Sequence, residues 1–355
     1  MKKTLVALAV LAASGASMAQ VTMTGTFNFG YIETVAGKSS ATGSTVRSSG
    51  LGVHTAEVYL NVKEDLGGGM GLSLRYGFGG LDRSGESSAQ PYTYANGGGS
   101  NGPVTGRNGF VTLTTPVGAI TYGSNKIADY LNAQAGLGMN IDDISDSYGV
   151  NLFAGRARRD FVQYDLPMGG FTLTAAHLES ANDLGAGDGA QGPNPSAAGN
   201  AQRINVAGVG YKAGALSVNG QYLSYDGNWT PRAGIPDGNV DNVVRFGGNY
   251  NFGFAKVGAA WQFVDYMGNR KDSQFLITGA LPLGPVDLGA SYGMRKVEDS
   301  VSANTNGDRA GWLLYGAYNF SKRTAFKLQH NIVDTSVAAG QETSSTTYML
   351  MSHSF

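Results

Sequence analysis

The sequence contains no cysteine, only 10 prolines in 355 residues, and no long uninterrupted apolar run. An exported chain without cysteine has no disulfides to hold it together. Without about 18 consecutive uncharged apolar residues it has no transmembrane helix. There is no basic excess either: Lys plus Arg number 25 against 26 acids. That excludes the electrostatic footprint of a nucleic-acid binder. Histidine is scarce, at His54, His177, His330 and His353. None lies in a recognisable serine-nucleophile or metal signature, so a membrane-edge hydrolase is not the expected reading. No catalytic residue, cofactor or metal site is expected.

What is abundant is glycine, at 54 residues, and aromatics, at 10%. That mixture is poor material for helices and good material for strands and turns. The first residues read as a secretory leader. Lys2 and Lys3 are followed by an apolar stretch from Thr4 to Ala13 that is too short to span a bilayer, then by Ser17-Met18-Ala19. Cleavage is expected after Ala19. Residues 1–19 are then signal peptide and 20–355 a single domain. The leader removes two lysines and no acids, leaving 23 basic against 26 acidic residues, a charge near −3.

The dominant pattern has period two. Val286, Leu288, Ala290, Tyr292 and Met294 alternate with Asp287, Gly289, Ser291, Gly293 and Arg295. Ala255, Val257, Ala259, Trp261 and Phe263 alternate in the same way with polar or small residues, as do Phe326, Leu328, His330 and Ile332. One face is apolar and the other polar or tiny. Short connections recur at Asp65–Gly69, Thr115–Gly118, Leu166–Gly170, Lys212–Gly214, Asn251–Gly253, Leu281–Pro285 and Asn319–Lys322. They alternate with longer polar segments near 34–52, 81–106, 125–157, 181–201, 227–240, 267–272, 298–308 and 335–345. Seven short and eight long connections join sixteen strands. The fold class is therefore all-β, a 16-stranded antiparallel transmembrane β-barrel with turns on one side and loops on the other. Lipid cannot hydrogen-bond an open strand edge, so only a closed barrel spans without helices. At about 16–18 strands the interior is an aqueous channel, and the polar face is the lumen. A β-helix would require a fixed short repeat, and the sequence has none.

Several stretches resemble the betaproteobacterial branch of the Gram-negative trimeric general porins. They are Glu64-Asp65-Leu66-Gly67-Gly68-Gly69-Met70, the block from Gly109 to Gly123, the corner Tyr164, Pro167 and Gly169-Gly170-Phe171, the turn Tyr318-Asn319-Phe320-Ser321-Lys322-Arg323-Thr324, and the terminal His353-Ser354-Phe355. Together they reach from the first strands to the last. The resemblance implies a homotrimer in outer-membrane lipid and lipopolysaccharide, with one hydrophilic pore per subunit. It implies that loop 3 folds inward to narrow the pore, and that Phe355 marks the chain for the barrel-assembly machinery.

Such a pore selects by diameter and by the charges at its narrowest point. Loop 3, Asn125 to Gly155, carries Asp129, Asp142, Asp143 and Asp146 and no base after Lys126. These are the expected acidic constriction residues. Strand parity puts Glu57, Tyr59 and Arg75 on the pore wall, with Arg245 and Arg295; Tyr59 is the aromatic that stands out there. Arg156, Arg158 and Arg159 form a basic cluster after loop 3, with parity favouring Arg159 as inward-facing. The chain departs from the family pattern at Glu57, where relatives usually have arginine, at Ser124 after Gly123, and at Gly77. Two rungs of the usual basic ladder are missing, which predicts weak selectivity.

The expected function is passive diffusion of ions and small hydrophilic solutes. The alternative is a substrate-specific channel for a sugar or an anion, which a lumen rich in aromatics or arginines would favour. Gly- and Asn-rich loops at 96–102 and 185–199 suit flexible outer segments. In the family, loop 2 reaches a neighbouring subunit, making 81–106 a candidate trimer latch.

Overall fold

The structure, a computed structural model, describes residues 20–36, 46–79, 105–126, 131, 135–137, 158–180, 203–226, 240–266, 270–298, 308–335 and 343–355. The expected leader, 1–19, and the proposed latch, 81–106, lie outside the described residues apart from the last two positions of the latter. Sixteen strands form one closed antiparallel barrel. They are β1 (Gln20–Ala36), β2 (Val46–Gly67), β3 (Met70–Gly79), β4 (Thr105–Thr115), β5 (Gly118–Lys126), β6 (Arg158–Met168), β7 (Phe171–Ser180) and β8 (Arg203–Ala213), followed by β9 (Leu216–Asp226), β10 (Val240–Asn251), β11 (Lys256–Tyr266), β12 (Lys271–Leu283), β13 (Val286–Glu298), β14 (Arg309–Asn319), β15 (Thr324–Thr335) and β16 (Ser344–Ser354). Each strand pairs with its neighbours in sequence, and β16 returns to β1.

Period-two alternation sorts the side chains as the sequence predicts. On β13, Leu288 and Tyr292 are 42% and 43% exposed, whereas Arg295 on the other face is 4% exposed. The outward face carries Val257, Phe263, Leu314, Leu328 and Met351, all exposed. Exposed apolar surface on this scale is unstable in water and belongs against hydrocarbon. At the short-turn end, Phe171 stacks near Tyr211, Tyr250 meets Phe252, and Tyr318 meets Phe320. These rings form an aromatic belt of the kind that sits at a headgroup boundary.

Two of the short turns show why glycine is needed. Leu283 pairs with Val286, and Ala213 with Leu216, so each hairpin closes over two residues. The first residue of each turn, Gly284 (φ +63°) and Gly214 (φ +53°), occupies the left-handed region. Such turns match the twist of the strands and favour glycine there.

The closing seam joins β1 to β16 from Thr26–Ser354 to Val35–Ser345. Below it Gly25 and Phe355 exchange both backbone hydrogen bonds, at 2.9 and 3.1 Å. A Cβ on Gly25 would lie 2.4 Å from Cζ of Phe355, so the terminal ring covers this glycine. Met349, Met351, His353 and Phe355 are all exposed along the outward face.

Two loop boundaries differ from the sequence reading. Within the 34–52 segment, residues 34–36 and 46–52 are strand, because the β1–β2 ladder continues through Glu33–Ser49 to Ala36–Val46. Its Ser- and Thr-rich faces carry no apolar alternation, and Arg47 pairs with Glu33. Lys271 and Asp272, read as loop, open β12 opposite Asp265 and Val264.

Candidate functional site

Two polar groups on the described lumen wall include the residues that parity singles out. On β2 and β3, Glu57, Tyr59 and Arg75 come together as parity predicts. The Tyr59 hydroxyl donates to Oε2 of Glu57 at 2.6 Å, and the Arg75 guanidinium lies 4.0 Å from the Tyr59 ring centroid. A cation over an aromatic face at this distance is held by about 0.5–2 kcal/mol, depending on desolvation. Arg75 itself stays exposed.

The second group spans β9 to β13. Cross-strand pairing puts Gln221, Arg245, Gln262, Gln274 and Arg295 in one continuous row. Nε of Arg245 donates to Gln221 at 2.7 Å, and Gln262 donates to Gln274 at 3.0 Å. Arg295 is not an open wall charge. It is 4% exposed and donates from Nε to Asp272 Oδ2 at 2.8 Å, with Nη2 on the same oxygen. Arg270 grips the same carboxylate from Nε and Nη2 at 3.0 and 3.1 Å, and the Tyr266 hydroxyl donates to it at 3.0 Å. The Arg270 guanidinium also lies 4.3 Å from the Tyr266 ring centroid. This knot is not legible in the sequence, where the polar residues 267–272 read as a loop.

The inner face is less polar than alternation implies. Leu178, Ile204, Val206, Leu223, Val243, Val264 and Tyr266 pack together and are buried. Tyr266, Tyr315 and Tyr348 also face inward, so Tyr59 is not the lone lumen aromatic; Tyr348 meets the His54 ring at 5.1 Å. A second apolar cluster contains Ala260, Leu276, Leu313 and Val333 from the inner faces of β11, β12, β14 and β15. Packed into it are Leu131 and Ala135, 1% and 0% exposed, from the segment that follows β5. The Ala135 carbonyl lies 2.4 Å from where a Cβ of Gly258 would stand, and Gly136 approaches Asn249. These residues of the third long connection therefore sit inside the barrel. Burying the Leu131 side chain contributes about 1.5–3 kcal/mol toward holding them there.

Asp129, Asp142, Asp143, Asp146 and Arg156 lie outside the described residues. So do the side chains of Arg158 and Arg159, whose backbones open β6 opposite Lys126 and Asn125. Among the described residues, no group of His, Cys, Asp or Glu is arranged to hold a metal ion.

A profile of the Gram-negative porins matches residues 4–337. The chain is 28% identical, over 343 residues, to outer membrane porin protein 32 of Delftia acidovorans, covering 92% of this chain and 87% of that one. Among solved structures it resembles an anion-selective porin from Comamonas acidovorans with a TM-score of 0.62 at 19% identity, covering 95% and 100% of the two chains. It also resembles OmpT of Vibrio cholerae, with a TM-score of 0.62 at 12% identity over 95% and 98%. With a profile match over nearly its whole length, a sixteen-strand closed barrel and a polar inner wall, the chain belongs to the Gram-negative porin family and forms an outer-membrane channel.

Proposed function

We propose that this channel is a general diffusion pore, passing ions and small hydrophilic solutes passively with weak charge selectivity. The observation that carries this reading is the separation of charge on the inner wall. Exposed Arg75 stands over Tyr59, itself bonded to Glu57, on one side, while across the barrel Asp272 offsets one of the two charges of Arg295 and Arg270. Asp129, Asp142, Asp143 and Asp146, on the segment whose Leu131 and Ala135 lie inside, would add acidic charge opposite the basic wall. Arg156, Arg158 and Arg159 would restore part of the transverse field lost with the missing arginines. A near-unity cation-to-anion permeability ratio, read from the zero-current potential in a salt gradient, is the expected result; a strong preference of either sign overturns it.

Anion preference is the second reading. It is favoured by the wall itself, where Lys212, Lys256 and Lys327 join Arg75 on the inner face, Arg245 being buried. The same measurement decides between the two, since this reading requires the potential to follow chloride.

The working assembly is proposed to be a homotrimer, exported by a leader cleaved after Ala19 and seated in lipid and lipopolysaccharide. Phe355 is proposed to serve the barrel-assembly machinery as well as the seam. Its ring is 44% exposed on the outward face, where another protein can reach it during insertion.

A further inference from the structure

At the short-turn end of the lumen, periplasmic in barrels of this kind, a cavity of about 440 Å³ opens between the inner faces of β8 to β11 and the inward segment at Gly136. Its charged lining is of one sign. Lys212 and Lys256 flank it, Asn219, Asn249 and Asn251 supply amides between them, and none of its lining residues is acidic. The strand register makes this a built arrangement. Lys256 pairs across from Asn251, and Asn249 and Lys212 both pair across from Ser217, so the side chains converge on one patch of wall. Gly136 closes the cavity from above. It has φ +69°, and a Cβ there would lie 2.5 Å from Nδ2 of Asn249.

We propose that this cavity is a binding site for small polyvalent anions, of the phosphate or polycarboxylate class, at the periplasmic mouth of the pore. The proposal rests on the chain being an open channel. Two ammonium groups each supply three donors and a full charge, and the asparagine amides add neutral donors that suit several anionic oxygens at once. A monovalent chloride gains from one ammonium at a time, whereas a polyvalent anion gains from both. The site therefore discriminates by charge number while leaving the open pore unselective. It is separate from the arginine-bearing wall of β2–β3 and from the Asp272 knot.

The test is single-channel recording in KCl, with inorganic phosphate or citrate added to one side at a time. Reversible, concentration-dependent interruptions of current are expected, stronger from the periplasmic side. K212Q/K256Q should raise the half-blocking concentration by roughly thirtyfold, because two unit charges in a solvated site are each worth about 1 kcal/mol and about 1.4 kcal/mol is tenfold. K296Q, which removes one lysine from the outward face of β13, should leave the block unchanged. Block by phosphate but not citrate, or the reverse, identifies which anion class the cavity takes. Equal block of wild type and K212Q/K256Q, or equal block from both sides, overturns the site. Absence of KCl conductance in the wild type would instead overturn the channel reading.

Discussion

Neutralising Asp272 should destabilise the barrel far more than removing a charge from its surface. The Asp272 side chain is fully buried, and the side chains of Arg270 and Arg295 beside it are 6% and 5% exposed. It accepts hydrogen bonds from both guanidiniums and from the Tyr266 hydroxyl. Asp272→Asn keeps the shape and one acceptor oxygen but leaves two buried cations without this counter-charge. An exposed pair contributes about 0–1 kcal/mol. Breaking a buried pair from one side costs about 3–5 kcal/mol, because the remaining charge stays desolvated. Burial puts Asp272 in the second class. Replacing Arg295 as well, in D272N/R295M, removes one stranded cation and should cost less than the two single changes summed. The assay is reversible urea unfolding of the barrel in lipid bilayers, with free energies taken from midpoint and slope. A loss under about 1 kcal/mol for D272N, or strict additivity in the double variant, refutes the reasoning.

Other outcomes follow from close contacts. Gly25→Val places its Cβ 2.4 Å from the Phe355 ring and 2.8 Å from the Glu57 carbonyl, so the heat-resistant folded fraction on semi-native gels should fall sharply. Gly214→Ala, at φ +53° with nothing within 4 Å, should cost only about 1–2 kcal/mol of backbone strain and still fold; matching losses would show that seam packing is not the cause. Gly258→Leu drives a side chain into the Ala135 carbonyl. It should change single-channel conductance while circular dichroism still reports an intact barrel; unchanged conductance would contradict the inner placement of Leu131 and Ala135. Arg75→Gln should shift the zero-current potential toward cations, and no shift would remove Arg75 from the field of the pore.

The barrel was legible because its two determinants are local. Alternation assigned Leu288 outward and Arg295 inward, and glycine-bearing turns such as Gly284 and Gly214 marked the hairpins. The β1–β2 extension is not legible because Ser48, Ser49 and Thr34 form a ladder without an apolar face. At the site, parity found Glu57, Tyr59 and Arg75 on one wall, which the structure joins by a hydrogen bond and a ring contact. It could not find the Asp272 knot, which depends on where β12 begins and on three residues brought together across β11 to β13. Nor could it find the apolar inner clusters. Alternation says which face a residue takes, whereas Leu276, Leu313 and Val333 are inward apolar residues whose partner, Leu131, comes from far along the chain.

The central claim is an open, water-filled lumen, and its most direct test is the conductance of the purified protein in a planar bilayer as salt is raised. A water-filled pore should give discrete ohmic steps whose size rises in proportion to the conductivity of the bathing KCl, because ions cross it hydrated. Conductance that saturates at low salt would indicate a dehydrated, site-limited path, and no steps at all would mean a closed interior; either result contradicts the account.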